Sequence, residues 1–157
     1  MIKNKRGFTL IEILVVIAIL AGLVAILLPN LMETRIRARD TRRKSDLKNI
    51  QKALELYKQS QTPNSYPSQL PTVCSSLTDV NGVLYMQKTP SDPSTQCQFN
   101  YYYKRGAADF QTYVLYACLE NAQDPEVNTE SPSCPNDFTT ITGQSCTTSR
   151  CYKLTEP

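Results

Sequence analysis

The chain contains no histidine and no tryptophan. Without histidine, it lacks the side chain whose ordinary pKa suits acid/base work near neutrality. No nucleophile–base pair and no glycine-rich phosphate loop can be read from the sequence, so catalysis is not the expected role. There is no C-x-x-C motif, and without histidine a zinc site would have to be all-thiolate, at spacings that do not suggest one. No N-x-S/T glycosylation acceptor occurs. Net charge is also scarce once its position is considered. Three of the 17 basic residues, Lys3, Lys5 and Arg6, precede Phe8 with no acid among them, leaving 14 to match the 14 acids. The remainder is neutral overall, which is poor evidence for a nucleic-acid partner.

What is present starts with that short basic leader, Met1 to Gly7. From Phe8 to Leu28 run 21 residues whose only polar members are Thr9 and Glu12. As a helix this segment measures about 30 Å, enough for the hydrocarbon core of a bilayer. The basic leader places the N-terminus in the cytoplasm. A secretory signal peptide would have a shorter apolar run and a small-residue cleavage site after it; here Pro29-Asn30-Leu31-Met32 follows. An uncleaved anchor fits the run but does not explain Glu12. A charge within a membrane helix costs roughly 2.5–3.5 kcal/mol at mid-bilayer, so a carboxylate there calls for a partner.

Gly7-Phe8-Thr9-Leu10-Ile11-Glu12, between a basic leader and a long apolar helix, resembles the processing site of type IV pilins and type II secretion pseudopilins. The resemblance is strong over about the first sixty residues. It implies a cut between Gly7 and Phe8 by a membrane-embedded prepilin peptidase, which also methylates the new Phe8 amine. Glu12 then becomes the fifth residue of the mature chain, where the family carries its carboxylate, and Pro29 falls where many members have a proline. The implied partners are further copies of the chain in a helical homopolymer, the assembly platform in the membrane, and lipid before assembly. The implied location is the cytoplasmic membrane as a single-pass precursor with its head outside, then an extracellular filament or a periplasmic pseudopilus. In a bundle of parallel helices the Glu12 carboxylate of one subunit can meet the Phe8 amine of the next, an attraction that offsets burial. Before the cut Phe8 has no free amine, so the leader blocks that pair.

The expected fold is α+β. A long helix, membrane-spanning in its first half, packs against a small antiparallel sheet with disulfide-stapled loops. The expected divisions are a leader at 1–7, a transmembrane segment at 8–28, the rest of the helix at 29–60 and a β-rich head at 61–157. Pro29 removes a backbone donor and predicts a kink. Leu47, Ile50, Leu54 and Tyr57 form an apolar stripe at helical spacing. Arg39 and Arg43 continue that stripe toward the membrane, so burial against the head is expected only from Leu47 onward. Arg35 to Lys44 carries six cations against one acid, Asp40. A solvated face, a contact with neighbouring subunits or lipid headgroups, and a DNA-binding surface are the competing readings.

Beyond the helix, Thr62 to Thr72 is a proline-rich loop, and the connector is expected to cover Cys74 to Asp79. Val83–Met86, Gln98–Lys104 and Tyr113–Leu119 read as strands, with Arg105–Asp109 as a hairpin connection. Phe138–Thr142 and Tyr152–Leu154 read as short edge strands. One sheet face packs on the Leu47 stripe, and the other exposes tyrosines. Thr89-Pro90-Ser91-Asp92-Pro93 resembles the proline-aspartate-proline turn of the major pseudopilins. That resemblance also raises calcium, for which Asp124, Glu126, Asn128 and Glu130 are the candidate ligands; a merely solvated acidic loop is the competing reading. Six cysteines, Cys74, Cys97, Cys118, Cys134, Cys146 and Cys151, predict three disulfides in an oxidising compartment. They allow fifteen pairings. Sequence proximity favours Cys146–Cys151 with Cys74–Cys97 and Cys118–Cys134. A pilin is the expected function. A pseudopilin or minor pilin is the alternative within the class, and a membrane-tethered binding domain that never polymerises is the alternative outside it.

Overall fold

The computed structural model describes residues 7–95, 97–108, 110–121, 123–127, 134–138, 142, 146 and 150–157, and for 27–30 the backbone only. Helix α1 runs from Leu10 to Ser60, 51 residues. The chain forms two units, Met1–Ile36 and Arg37–Pro157. The side chain of Pro29 lies outside the described residues, and the backbone of 27–30 is helical.

Among the described residues of the second unit, five short strands follow α1. Strands β1 (Leu77–Thr78) and β2 (Leu84–Met86) form a two-stranded hairpin. Strands β3 (Tyr102–Arg105), β4 (Tyr113–Cys118) and β5 (Cys151–Thr155) form an antiparallel sheet in that order. The connector expected at Cys74–Asp79 therefore supplies a strand, β1, because Leu77 is an apolar residue that the core takes in.

Alternation along β4 sorts its residues between two cores. Tyr113, Leu115 and Ala117 join Leu47, Ile50, Leu54, Tyr101 and Tyr103 in the main core against α1. Tyr116 packs with Tyr102, Phe138 and Cys151 in a second, smaller core. Two of the main-core tyrosines show how a buried hydroxyl finds a partner. Tyr101 donates to Asp46 at 2.8 Å and Tyr103 to the Pro67 carbonyl at 2.6 Å.

The second core corrects the expectation that the far sheet face exposes its tyrosines. Phe138 stacks on Tyr102 with ring centres 5.9 Å apart. The described residues of the 134–146 stretch cover that face and are stapled to it by two disulfides. These are Cys118–Cys146 and Cys134–Cys151, with Cys74–Cys97 elsewhere. Only Cys74–Cys97 matches the pairing favoured by sequence proximity. Cys118 and Cys151 are directly opposite one another on β4 and β5. Each is thus presented to the covering segment, and Cys151 reaches Cys134 rather than the nearby Cys146. Phe138 and Thr142, read as the ends of an edge strand, are helical, and the Thr142 hydroxyl donates to the Phe138 carbonyl four residues back.

Cys134–Cys151 closes a loop with a sequence separation of 17 residues. The double replacement Cys134→Ser with Cys151→Ser is expected to cost about 3 kcal/mol. The denaturation midpoint, followed by tyrosine fluorescence, measures it. An unchanged midpoint would mean that this staple does not hold the outer layer.

Head packing also begins earlier on α1 than Leu47. Arg43 is buried and its guanidinium grips Asp92 with two bonds of 2.7 and 2.9 Å. The same group reaches Asp40 at 2.7 Å and Glu120 at 2.7 Å. Asp40, also buried, accepts the backbone N–H groups of Glu120 and Asn121. Arg39 forks onto Glu120, and Lys44 holds Asp124 at 2.6 Å and Glu126 at 3.0 Å. Three of the six cations between Arg35 and Lys44 therefore pair with head acids. The apolar stripe gives way to an ionic one because the loops after β4 and before β3 bring carboxylates to that part of α1.

Candidate processing and assembly site

The first unit carries the leader junction. Gly7, Phe8 and Thr9 are non-helical, and α1 starts at Leu10. Thr9 stops the helix there. Its hydroxyl accepts the Glu12 backbone N–H at 3.3 Å, while the Glu12 carboxylate accepts the Thr9 backbone N–H at 2.9 Å and its hydroxyl at 2.7 Å. This is a reciprocal capping box, in which two helix-start donors are satisfied within four residues. The bond between Gly7 and Phe8 thereby lies outside the helix, in backbone free of helical hydrogen bonds.

A methyl group added at Gly7 would meet nothing within 4 Å. The chain's own packing therefore sets no requirement for glycine before the junction. Phe8 is 83% exposed, and the apolar side chains from Leu10 to Ile26 face outward around α1. Exposure on all sides of a helix is the pattern of one made for lipid or for other helices. Among the described residues no single helix is long and apolar enough to cross a membrane; Leu10–Ile26 and Leu31–Ser60 meet that standard as a pair, by length and composition.

The structure thus brings Gly7, Phe8 and Glu12 together at one helix end. Thr9 was missed as a functional residue, although T-x-x-E ahead of an apolar run is legible as a capping box. Asp124 and Glu126 of the calcium set both bond Lys44, and Asn128 and Glu130 lie outside the described residues. Calcium takes six to eight oxygens; of the four candidates the described residues include two carboxylates, both bonded to the Lys44 ammonium. Elsewhere in the second unit, burial alone would raise the Asp92 carboxyl, but the hydrogen bonds from Arg43 and Ser94 outweigh it and hold the group below its ordinary range. Arg39 does the same for Glu120, against a smaller opposing effect of burial.

Residues 2–28 match the model of the prokaryotic N-terminal methylation motif. The chain is 48% identical over 66 residues to the type IV wide pilus major component PilA4 of Thermus thermophilus, covering 42% of this chain and 49% of that protein. It is 36% identical over 99 residues to the type II secretion system core protein G of Pectobacterium carotovorum, covering 57% of this chain and 62% of that protein. With the core protein G of Pseudomonas aeruginosa it shares 36% identity over 100 residues, covering 58% of this chain and 69% of that protein. The chain belongs to the type IV pilin and type II secretion pseudopilin family. It spans about half the length of the first of these relatives and under two thirds of the second. No solved structure matches it.

Within this pilin and pseudopilin family the site acquires a chemical logic. A cut before Phe8 frees an amine beside Thr9 and leaves the Thr9–Glu12 bonds available to start the helix. Glu12 makes no ion pair with any described residue. Among the described residues its carboxylate is bonded by Thr9.

Proposed function

We propose that this chain is a structural subunit of a type IV pilus-like filament. It is made as a membrane precursor, cut after Gly7, methylated on Phe8 and polymerised through its N-terminal helix. The observation that carries this reading is the junction itself, with Gly7–Phe8 outside the helix, Glu12 in the first turn and an apolar helix exposed on all sides. The chain acts by assembly and catalyses nothing. Its partners are other copies of itself, the peptidase that processes it, the membrane platform that adds subunits, and lipid before assembly.

The second reading is a pseudopilin of a type II secretion system. It is favoured by the core protein G alignments of about a hundred residues, which extend past the helix into the head, and by the Thr89–Pro93 turn. That turn carries Asp92, the partner of Arg43.

The test is intact mass and N-terminal sequencing of protein sheared from cell surfaces. A mature chain starting at N-methyl-Phe8, six hydrogens lighter for three disulfides, is the expected product. A chain cut at Phe8 but absent from the sheared fraction would favour the pseudopilin. A chain still carrying its leader in membranes would overturn both.

A further inference from the structure

The β1–β2 hairpin ends in an apolar tip. Val80 is 93% exposed, Val83 50% and Leu84 55%. A loop that displays aliphatic side chains to water usually collapses onto its neighbours, but this one is held rigid. Asp79 accepts the backbone N–H groups of Asn81 and Val83, each at 2.9 Å, and the Tyr85 hydroxyl at 3.1 Å. Gly82 supplies the turn at φ 81°. Tyr85 in turn packs edge-on against Tyr57 of α1 and bonds Ser60.

On α1 lies a shallow, open cleft of about 470 Å³ lined by Gln51, Lys52, Glu55, Leu56 and Pro157. Leu56 is 55% exposed. Gln51 fixes one wall by donating to the Thr155 carbonyl at 2.7 Å, and Glu55 is fixed by the Tyr66 hydroxyl at 2.7 Å. The apolar parts are Leu56, Pro157 and the stems of the longer side chains.

We infer that the Val80–Leu84 tip of one subunit seats in the Leu56–Pro157 cleft of a second copy, forming a head-to-head contact of the filament. The inference rests on the filament reading above. Three observations point to a second copy as the occupant. First, one pair of charges is complementary, while the acid on the other wall of the cleft, Glu55, is already engaged by the Tyr66 and Tyr113 hydroxyls. Asp79 at the base of the tip and Lys52 at the rim of the cleft make no ion pair within their own chain among the described residues. Second, both surfaces are preformed, so contact orders few groups. Third, the two surfaces face opposite ways. At 100° per residue, the centre of the cleft residues on α1 and Tyr57, which carries the hairpin, lie roughly 170° apart around the helix. A contact between unlike patches on opposite faces is heterologous: it does not close as a two-fold dimer does, and it propagates into an open row wherever its rotation does not complete a ring.

The test places a photoreactive side chain, Val80→p-benzoylphenylalanine, in the full chain and irradiates the sheared filaments. The expected product is a covalent dimer whose linked peptide contains Leu56 or Pro157. A dimer linked elsewhere, linkage only within one chain, or linkage to a different protein would overturn the contact. Val80→Asp and Leu56→Asp provide the second measurement. Both positions are exposed, so head melting is expected to stay unchanged while filament yield falls about tenfold or more, the factor that losing one buried aliphatic contact carries. Wild-type yield from both variants would sink the contact and leave the filament reading intact. If the wild-type chain itself yields no sheared polymer, the filament reading fails first and the contact with it.

Discussion

Arg43→Ala is expected to destabilise the head by about 3–5 kcal/mol, the cost of leaving buried charge without its partner. For a domain of this size that corresponds to a fall in Tm of roughly 10–20 °C. The reason lies in what remains after the arginine is gone. Asp40 and Asp92 have side chains 1% and 3% exposed, and among the described residues both would lose the cation that bonds them. Arg43→Lys should recover only part of the loss, because a single ammonium cannot reproduce the two-pronged grip on Asp92 and still reach Asp40. Thermal melting of the detergent-solubilised chain, followed by tyrosine fluorescence, measures the effect. A Tm within a few degrees of wild type would mean that water reaches the two acids.

The same cluster fixes the direction of the pH dependence. Asp92, Glu120 and Asp124 are all held below their ordinary range. A carboxyl depressed in the folded state adds stability above its unfolded pKa, about 4, and loses it as pH falls through the folded value. Asp46 opposes them, since burial raises it. Stability should therefore hold from neutrality down to about pH 4 and decline below it, and the decline should be shallower in Arg43→Ala, where Asp92 loses the hydrogen bonds that depress it while Arg39 still holds Glu120 and Lys44 still holds Asp124.

Glu12→Ala should be exported and cut normally, yet filament yield should drop by an order of magnitude or more. Opposite charges meeting in low dielectric attract by several kcal/mol, against a burial cost that the carboxylate otherwise bears alone. The capping box complicates the reading of that variant, because alanine removes both the charge and the bonds to Thr9. Glu12→Gln separates the two effects. Glutamine serves in a capping box as glutamate does, so it preserves the helix start while removing the charge. Poor assembly from Glu12→Gln identifies the charge as the requirement. Normal assembly from Glu12→Gln, with failure of Glu12→Ala, assigns the requirement to the helix start, and normal filaments from both would refute a role for Glu12 in register. Intact mass at Phe8 confirms in each case that processing came first.

Much of this molecule is one-dimensional, and that part is legible as sequence. The leader charges, the Gly7–Phe8 junction, Glu12 and the apolar run are contiguous, and their meaning depends on chain order and helical rise alone. The Leu47–Tyr57 stripe is equally local, because it follows from 3.6 residues per turn. The tyrosine strands announce themselves by alternation, and even the missed role of Thr9 was written in T-x-x-E. The tertiary structure alone decided what Arg39, Arg43 and Lys44 do. Their partners, Asp92, Glu120, Asp124 and Glu126, lie 49 to 82 residues away in the chain, and only the return of those loops to α1 turns one face of the basic run into an ionic seam centred on the buried Arg43. The disulfides were decided the same way. Nearness in sequence favoured Cys146–Cys151, but antiparallel pairing set Cys151 beside Cys118, and the segment crossing that face delivered Cys134 and Cys146 to them in the other order. Local patterns are fixed by backbone geometry over a few residues, whereas pairings between distant side chains exist only once loop closure has brought them together.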